Sequence, residues 1–291
     1  MEVRKPYFAG QFYEHEKKLL TQQVEKCFLH RLGPGAPDGK KMHGTVKGAI
    51  VPHAGLMFSG MCAAHSYKAI KESGEYDTFI LIGFSHSRLE SNHIVTTDLD
   101  WETPLGTVES DKELVEELIK HKHIDKDEQA MRYEHSIEVQ LPFLQYLYDK
   151  PKILPILVGE GCDYKEAAKH IEKAVSKLGR NVCYVASSDF THYGPSFNYV
   201  PFDEEIQKNL LKLDEGAIEE IKVLNTKGFL EYLQSTAATI CGKNSIALLL
   251  ELLQDKVNRI ELLKYYTSGD LLEDYTNSVS YASIIFESIK L

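Results

Sequence analysis

The histidine and acidic side chains that could carry out chemistry stand in short segments that follow apolar runs. VPHAG contains His53, GFSHS contains His86, and SSDFTHYG contains Asp189 and His192. Imidazoles and carboxylates bind metal ions and transfer protons. One such histidine alone is more typical of a structural, hydrogen-bonded residue. In an open α/β sheet, however, ligands bind outside the carboxyl ends of the strands, so we expect these segments to converge on one cleft.

Cys241 is the candidate sulfur ligand. It stands in TAATICGKNS, where a strongly apolar helix is predicted to start, and Gly242 permits a tight turn into that helix. A helix N-terminus stabilises a thiolate, which is both a nucleophile and a metal ligand. We expect Cys241 to meet His53 and His86 in a metal-binding cleft. The alternative for this residue type is a buried, inert cysteine.

The segment YEHSIEVQLPFL adds a third histidine, His135. His135 and Glu138 are three residues apart, so they share one face of a predicted helix, and Glu134 can cap its first turn. Two roles stay open for His135, namely a contact with substrate or with the metal ligands, and capping of the helix. Ser85, directly before His86, is assigned to the same group of supporting residues.

The elements that position these residues alternate between helices and strands. Helices are predicted over about 14–30, through CAAHSYKAIKES, from Asp111 as N-cap, through EHSIEVQLPFLQYLYD with a kink at Pro142, through DYKEAAKHIEKAVSKLG, and over most of the C-terminal third to about Val257. Strands are predicted at KGAIVPH (47–53), DTFILIGFSH (77–86), HIVTTD (93–98), KILPILVGEG, NVCYVASSDF, RIELLKYYTSGD and SVSYASIIFES.

This alternation predicts an α/β fold with a mixed, mostly parallel central sheet sandwiched by helices. The sequence has no internal repeat and no clear linker, so residues 1–291 are expected to form one domain. The segment RLGPGAPDGKK, rich in glycine and proline, is predicted to be a surface loop.

Composition and charge argue against several classes of function. The net charge is −10 and the basic residues are scattered, which disfavours nucleic-acid binding. No apolar run approaches the roughly 20 residues that span a bilayer, so neither secretion nor membrane insertion is expected. The five cysteines form no CxxC and fit reduced thiols in the cytoplasm. Motifs such as GxGxxG, HExxH and GxSxG are absent, which removes the usual support for nucleotide-dependent and serine-hydrolase chemistry.

Eight ordered motifs closely resemble the Memo family, which includes the eukaryotic mediator of ErbB2-driven cell motility and prokaryotic homologues. They are AGQFY (9–13), VPHAG (51–55), MCAAHSYK (61–68), GFSHS (83–87), EHSIEVQLPFLQ (134–145), ILVG (156–159), SSDFTHYG (187–194) and TICGKNSI (239–246). With SVSYAS, which resembles the last strand of the family, the similarity covers essentially the whole chain.

The resemblance implies a fold like that of class III extradiol dioxygenases, which are nonhaem iron enzymes. It implies that His53, His86 and Cys241 contact a metal ion, that Asp189 and His192 line the same cleft, and that His192 is the candidate acid or base. It also implies an iron or copper ion, with zinc as a further candidate. For prokaryotic members it implies association with an AMMECR-type protein and a radical SAM protein, and animal members bind phosphotyrosine peptides.

One departure separates this sequence from ring-cleaving dioxygenases. Those enzymes hold Fe(II) with two histidines and a carboxylate, whereas Cys241 stands at the third position here. A dioxygenase-like fold therefore does not imply ring cleavage. Three hypotheses follow from the sequence. In the first, the chain is a cytoplasmic metal-binding protein with redox or oxygenase-type chemistry on an unknown substrate. In the second, it is a metal-free enzyme with Cys241 as nucleophile and His192 as a base oriented by Asp189. In the third, it is a non-catalytic protein whose cleft binds a peptide or partner.

Overall fold

A computed structural model describes residues 2–40, 42–86 and 94–290 of the chain. Within these ranges the strands form one sheet. They are β1 (Val3–Arg4), β2 (Thr45–Val51), β3 (Thr78–Phe84), β4 (Ile94–Thr96), β5 (Asp100–Thr103), β6 (Gly106–Ser110), β7 (Ile124–Lys126), β8 (Lys152–Val158), β9 (Val182–Ser187), β10 (His192–Tyr193), β11 (Arg259–Thr267) and β12 (Ser278–Ser288).

Helices connect and cover these strands. They are α1 (Lys17–Leu29), α2 (Leu56–Ser73), α3 (Lys112–Leu118), α4 (Glu128–Arg132), α5 (His135–Glu138), α6 (Leu141–Leu147), α7 (Tyr164–Leu178), α8 (Ile206–Lys222), α9 (Thr226–Thr236), α10 (Lys243–Leu253) and α11 (Ser268–Leu272), with a short 3-10 helix at Pro195–Phe197. No helix in the described ranges combines the length and the apolar character that crossing a membrane requires.

The centre of the sheet is parallel. β6, β8, β3, β9 and β2 lie side by side in that order, and each neighbouring pair is parallel. Antiparallel strands flank this parallel centre. Next to β2, β12 pairs antiparallel with β2 and also with β11. Next to β6, β5 pairs antiparallel with β6. The predicted mixed, mostly parallel sheet is confirmed.

Helices cover both faces of the central strands, which is why these strands are continuously apolar. In β3, Phe79 and Leu81 enter the core beneath α1, α2 and α6, whereas Ile80 and Ile82 enter the core beneath α3, α7 and α10. Successive residues of a strand point to opposite faces, so one apolar run serves two cores. The strand centres are thereby enclosed, and their carboxyl ends are left to carry polar loops.

The helix predicted through EHSIEVQLPFLQYLYD is interrupted beside its predicted kink at Pro142, because the structure has two helices there. α5 ends at Glu138 and α6 starts at Leu141, with Pro142 in its first turn. Proline lacks an amide hydrogen and is tolerated in a first turn, where no intrahelical partner exists.

Smaller differences concern the ends of elements. The first helix starts at Lys17, three residues after its predicted start near residue 14. The strand predicted through RIELLKYYTSGD ends at Thr267, which forms a capping box with Asp270 and starts α11. Of the strand predicted at 93–98, Ile94–Thr96 is observed, and residue 93 lies outside the described residues.

Candidate functional site

The predicted site residues follow three neighbouring strands of the parallel sheet. His53 comes two residues after β2, His86 two residues after β3, and Asp189 two residues after β9. β9 lies between β3 and β2, so the three strand ends are adjacent. Parallel strands end at the same edge of a sheet, and this edge is where ligands bind in α/β folds. The topology therefore brings these segments together.

His53, His86 and Cys241 form one group of potential ligands. Their ligand atoms all lie within 4.8 Å of one another. Cys241 Sγ is 3.3 Å from His53 Nε2. A tetrahedral ion with ordinary metal–nitrogen and metal–sulfur bond lengths places two such atoms about 3.5 Å apart. The donor set and its spacing thus fit a metal ion.

The tautomer of His53 follows from a chain of buried hydrogen bonds. Ser187 Oγ donates to the Ser136 carbonyl at 2.6 Å, and Gln140 Nε2 donates to Ser187 Oγ and to the Pro52 carbonyl, each at 3.0 Å. Ser187 Oγ lies 2.9 Å from His53 Nδ1 and has its own proton engaged, so it accepts from Nδ1–H. The lone pair of Nε2 therefore faces Cys241 and is available to a metal ion.

The same orientation is imposed on His86 by a buried carboxylate. Glu134 accepts from His86 Nδ1 and from the His86 amide, each at 2.9 Å. Burial acts to raise the pKa of Glu134, but its hydrogen bond and charge interaction with His86 outweigh burial and hold this pKa at about 2. A carboxylate behind a histidine fixes the ring and raises its basicity as a metal ligand. His86 Nε2 is accordingly left for the cleft.

Cys241 does not lie inside its helix, because α10 starts at Lys243 with Gly242 as N-cap. The Gly242 amide donates to Ser188 Oγ at 3.0 Å, and a Cβ at Gly242 would lie 2.5 Å from Ser188 Cβ. The expected tight turn is confirmed, and only glycine fits it without displacing the Ser188 loop. Burial, followed by the charge of Asp189, raises the pKa of the Cys241 thiol. Without a cation the thiol form is favoured.

Asp189 and His192 form a second group with Cys241, with ligand atoms within 4.8 Å of one another. Asp189 accepts from the His53 amide at 2.8 Å and the Ala54 amide at 3.3 Å. Its pKa is raised by burial. Asp189 was also predicted to orient His192. In the structure, the hydrogen bonds that orient the His192 ring come instead from backbone carbonyls.

Those contacts are made at Nδ1 of His192. This nitrogen lies 2.9 Å from the Phe190 carbonyl and 3.1 Å from the Thr239 carbonyl, so it carries the ring proton and donates it. The Thr239 hydroxyl also donates to the His192 carbonyl at 2.7 Å. The lone pair is consequently on Nε2, in the state that a general base requires.

His135 lies beside the ligand group. Its ring centroid is 4.0 Å from that of His86 and 5.3 Å from that of His53. Burial, together with the nearby imidazoles, lowers its pKa to about 3. Ser85 is buried directly before His86. Of the two roles left open for His135, capping of α5 is performed by Glu134, which accepts from the Ser136 amide at 2.7 Å.

Glu138 lies apart from the cleft, although it is on the same short helix as His135. Its carboxylate binds Arg4 Nη1, the Tyr13 hydroxyl and the Phe8 amide. A pairing of His135 with Glu138 at a shared site is therefore not formed. The sequence did not single out Ser187 and Gln140, which support His53. It also did not indicate that Glu134 contacts His86. Nothing in their spacing indicates these contacts, which arise from elements far apart in the chain.

The chain is thus an α/β protein with a group of histidine and cysteine side chains at the carboxyl edge of its parallel sheet. A family model described as Memo-like protein matches residues 4–285. A MEMO1 family protein of Methanopyrus kandleri is 38% identical and covers 97% of this chain and 98% of its own. Those of Pyrobaculum aerophilum (38%) and Sulfolobus acidocaldarius (39%) each cover 98% of this chain and 99% of their own. The chain belongs to the Memo family.

Proposed function

We propose that this chain is a metal-binding protein whose cleft holds one ion through His53 Nε2, His86 Nε2 and Cys241 Sγ. The observation that carries the proposal is the pair of Nδ1 contacts, with Ser187 behind His53 and Glu134 behind His86. Both contacts leave the Nε2 lone pairs in a cleft that also contains a sulfur donor. Three donors with a position left open suit an ion that also binds a substrate or water.

Iron or copper is the proposed ion, with zinc as a further candidate, because imidazole suits all three and thiolate favours soft or borderline metals. When bound, such an ion supplies Lewis-acid or redox chemistry. His192 Nε2 is the proposed proton acceptor, and Asp189 holds the His53 loop through two backbone amides. The same proposal includes oxygenase-type or redox activity on an unknown substrate in the cytoplasm. It also includes association with AMMECR-type and radical SAM proteins.

The metal-free alternative, with Cys241 as a nucleophile, has less support. Burial raises the pKa of the Cys241 thiol, and the base that would activate it, His192, has its Nδ1 held by carbonyls rather than by a carboxylate. A nucleophilic cysteine is activated by the opposite conditions, in which an electropositive neighbourhood lowers the pKa. For peptide binding by the cleft, no contact in the described residues favours one ligand over another.

Elemental analysis of protein purified without a tag or chelator tests the proposed ligands. The His53→Ala/His86→Ala variant is expected to lose one equivalent of bound iron, copper or zinc, since two of three donors in the cleft are gone. The matched control, His15→Ala/His30→Ala, changes two exposed histidines and is expected to retain the metal. Equal metal content in all three proteins, with native circular dichroism, would refute the proposal.

A second prediction isolates the carboxylate behind His86. Glu134→Gln keeps the size of the side chain but removes the charge that accepts from His86 Nδ1, so metal affinity is expected to fall about 10–100-fold. The control is Glu160→Gln, which changes an exposed carboxylate paired with Lys243. Competition with a chromophoric chelator measures both affinities. Equal affinities for the two variants would exclude an effect of Glu134 on the ligands.

A further inference from the structure

A second cluster of metal-ligating side chains lies outside the cleft, where the turn after α3 meets the first half of α7. It consists of His121, Glu166 and His170, and we call it the His121 cluster. Its ligand atoms all lie within 4.8 Å of one another. Glu166 and His170 are four residues apart on α7 and share one face. Packing of α3 on α7 brings His121 to that face.

The distances within the His121 cluster resemble those of a zinc coordination shell. His121 Nε2 lies 3.4 Å and His170 Nε2 lies 3.6 Å from the same oxygen, Glu166 Oε1. Zinc bonds of about 2.0–2.1 Å at tetrahedral angles place two ligand atoms about 3.3 Å apart. Both nitrogen–oxygen pairs are therefore close to this spacing before any ion is bound.

The surroundings of the His121 cluster provide access and room. The three side chains are partly exposed, so an ion can enter from solvent. His121 and Glu166 also line a cavity of about 150 Å³, together with His123 and Cys162. This cavity can hold a water molecule as a fourth ligand. Two imidazoles, one carboxylate and an open position are a donor set that zinc accepts.

The charge state of the cluster is compatible with a cation. Glu166 contributes a negative charge, and partial burial followed by the charge of His170 lowers the pKa of His121, which favours its neutral form. In the metal-free protein, His121 Nδ1 accepts a long 3.4 Å hydrogen bond from the His123 amide. An ion on Nε2 moves the ring proton to Nδ1, so this long bond is given up on binding.

We propose that His121, Glu166 and His170 form a second, surface-accessible site for a zinc-like divalent ion, separate from the cleft. The ion joins the turn before β7 to α7, two segments that otherwise meet through the α3–α7 packing. The site uses no residue of the cleft, so the two proposals stand or fall independently.

Zinc content measured in a background without the cleft donors tests this site. The background variant is His53→Ala/Cys241→Ser, dialysed against Zn²⁺ and then analysed for zinc. It is expected to retain one equivalent, which His121→Ala/His170→Ala removes and which the exposed control pair His15→Ala/His30→Ala leaves in place. Zinc content unaffected by His121→Ala/His170→Ala, or an empty background variant that is folded, would overturn the proposal.

A second measurement covers the case in which the background variant does not fold. The chain with an intact cleft is titrated with Zn²⁺ and followed by ¹H–¹⁵N correlation spectra. The His123 amide resonance is expected to shift, because its bond to His121 Nδ1 is lost, and Glu166→Gln is expected to suppress this shift. A His123 resonance that does not move, or that moves equally in Glu166→Gln, would contradict ion binding at the His121 cluster.

Discussion

Two histidines at the candidate site, His53 and His135, are held neutral by their surroundings. Burial, before any other cause, lowers the pKa of His53 and of His135 to about 3. A neutral imidazole keeps the lone pair that a metal ion or a proton requires. The cost of this arrangement is a dependence of stability on pH, because both residues can bind a proton freely in the unfolded chain, where the ordinary histidine pKa is about 6.5.

A pH prediction follows for His135 in the metal-free protein. Its folded pKa is depressed to about 3, so the unfolded state binds more protons between this value and about 6.5. Above a pH of about 6.5, His135 is neutral in both states and its burial costs no stability. As pH falls through this window, the unfolded state binds the proton more readily, so the free energy of unfolding decreases. At pH 5 the loss is about 2 kcal/mol. His135→Gln is expected to remove that part of the decline in the free energy of unfolding.

Urea denaturation at pH 7.5 and at pH 5, with chelator present, measures the effect. The control is His15→Gln, because this side chain is largely exposed and its replacement should leave the pH dependence as in the parent protein. A decline that is equally steep in His135→Gln and in the parent would show that His135 is not held neutral by the fold.

At the scale of elements, Asp111 links three parts of the molecule through one carboxylate. It caps α3 by accepting from the Leu114 amide, accepts from the Thr78 hydroxyl in β3 at 2.7 Å, and pairs with Arg180 Nε after α7 at 2.9 Å. Burial acts to raise the pKa of Asp111, but the hydrogen bonds from Arg180 and Thr78 outweigh it. The sequence predicted the cap but not the two long-range contacts.

Asp111→Ala is therefore expected to cost more than the loss of a helix cap. A lost cap costs about 1 kcal/mol, and leaving buried polar partners unsatisfied adds about 1–3 kcal/mol. The control, Glu113→Ala, removes an exposed carboxylate that also pairs with Arg180, and is expected to cost at most about 1 kcal/mol. Urea denaturation compares the two. Equal costs would mean that the buried contacts of Asp111 add nothing.

At the scale of the whole molecule, the N-terminal segment supports the cleft from behind. The Arg4 guanidinium donates to the Met131 and Glu134 carbonyls, each at 2.9 Å, and pairs with the buried carboxylate of Glu138. It also lies 3.9 Å from the centre of the Trp101 ring. These contacts tie β1 to α4, to Glu134 and to α5, which begins at His135. A residue near the start of the chain thus holds a wall of the cleft.

Glu138→Ala is expected to destabilise the protein by about 3–5 kcal/mol, because it leaves the buried charge of Arg4 without its partner. The double variant Arg4→Met/Glu138→Leu removes both charges and is expected to recover part of this loss. Thermal and urea denaturation of Arg4→Met, Glu138→Leu and the double variant complete the cycle. Strictly additive losses would show that the pair is not coupled.

The class of fold was predictable from the sequence, and so was the expectation that residues at several strand ends lie close together. Continuous apolar runs indicated strands covered on both faces, and polar loops after those runs indicated where they end. His53, His86 and Asp189 each stand beside such a boundary, so their meeting followed from the rule for parallel strand ends, whereas Cys241 stands before a helix. These features are local, because a strand, its end and a glycine turn such as Gly242 are specified by neighbouring residues.

Tertiary structure alone decided which nitrogen of each histidine is free and what stands behind it. The partners of His53 and His86, Ser187 and Glu134, lie 134 and 48 residues away along the chain. His192 is held by carbonyls rather than by Asp189, and Glu138 turns to Arg4 rather than to His135. Hydrogen-bond partners across such distances depend on strand order and on the angle at which short helices pack. No local pattern of residues encodes either quantity.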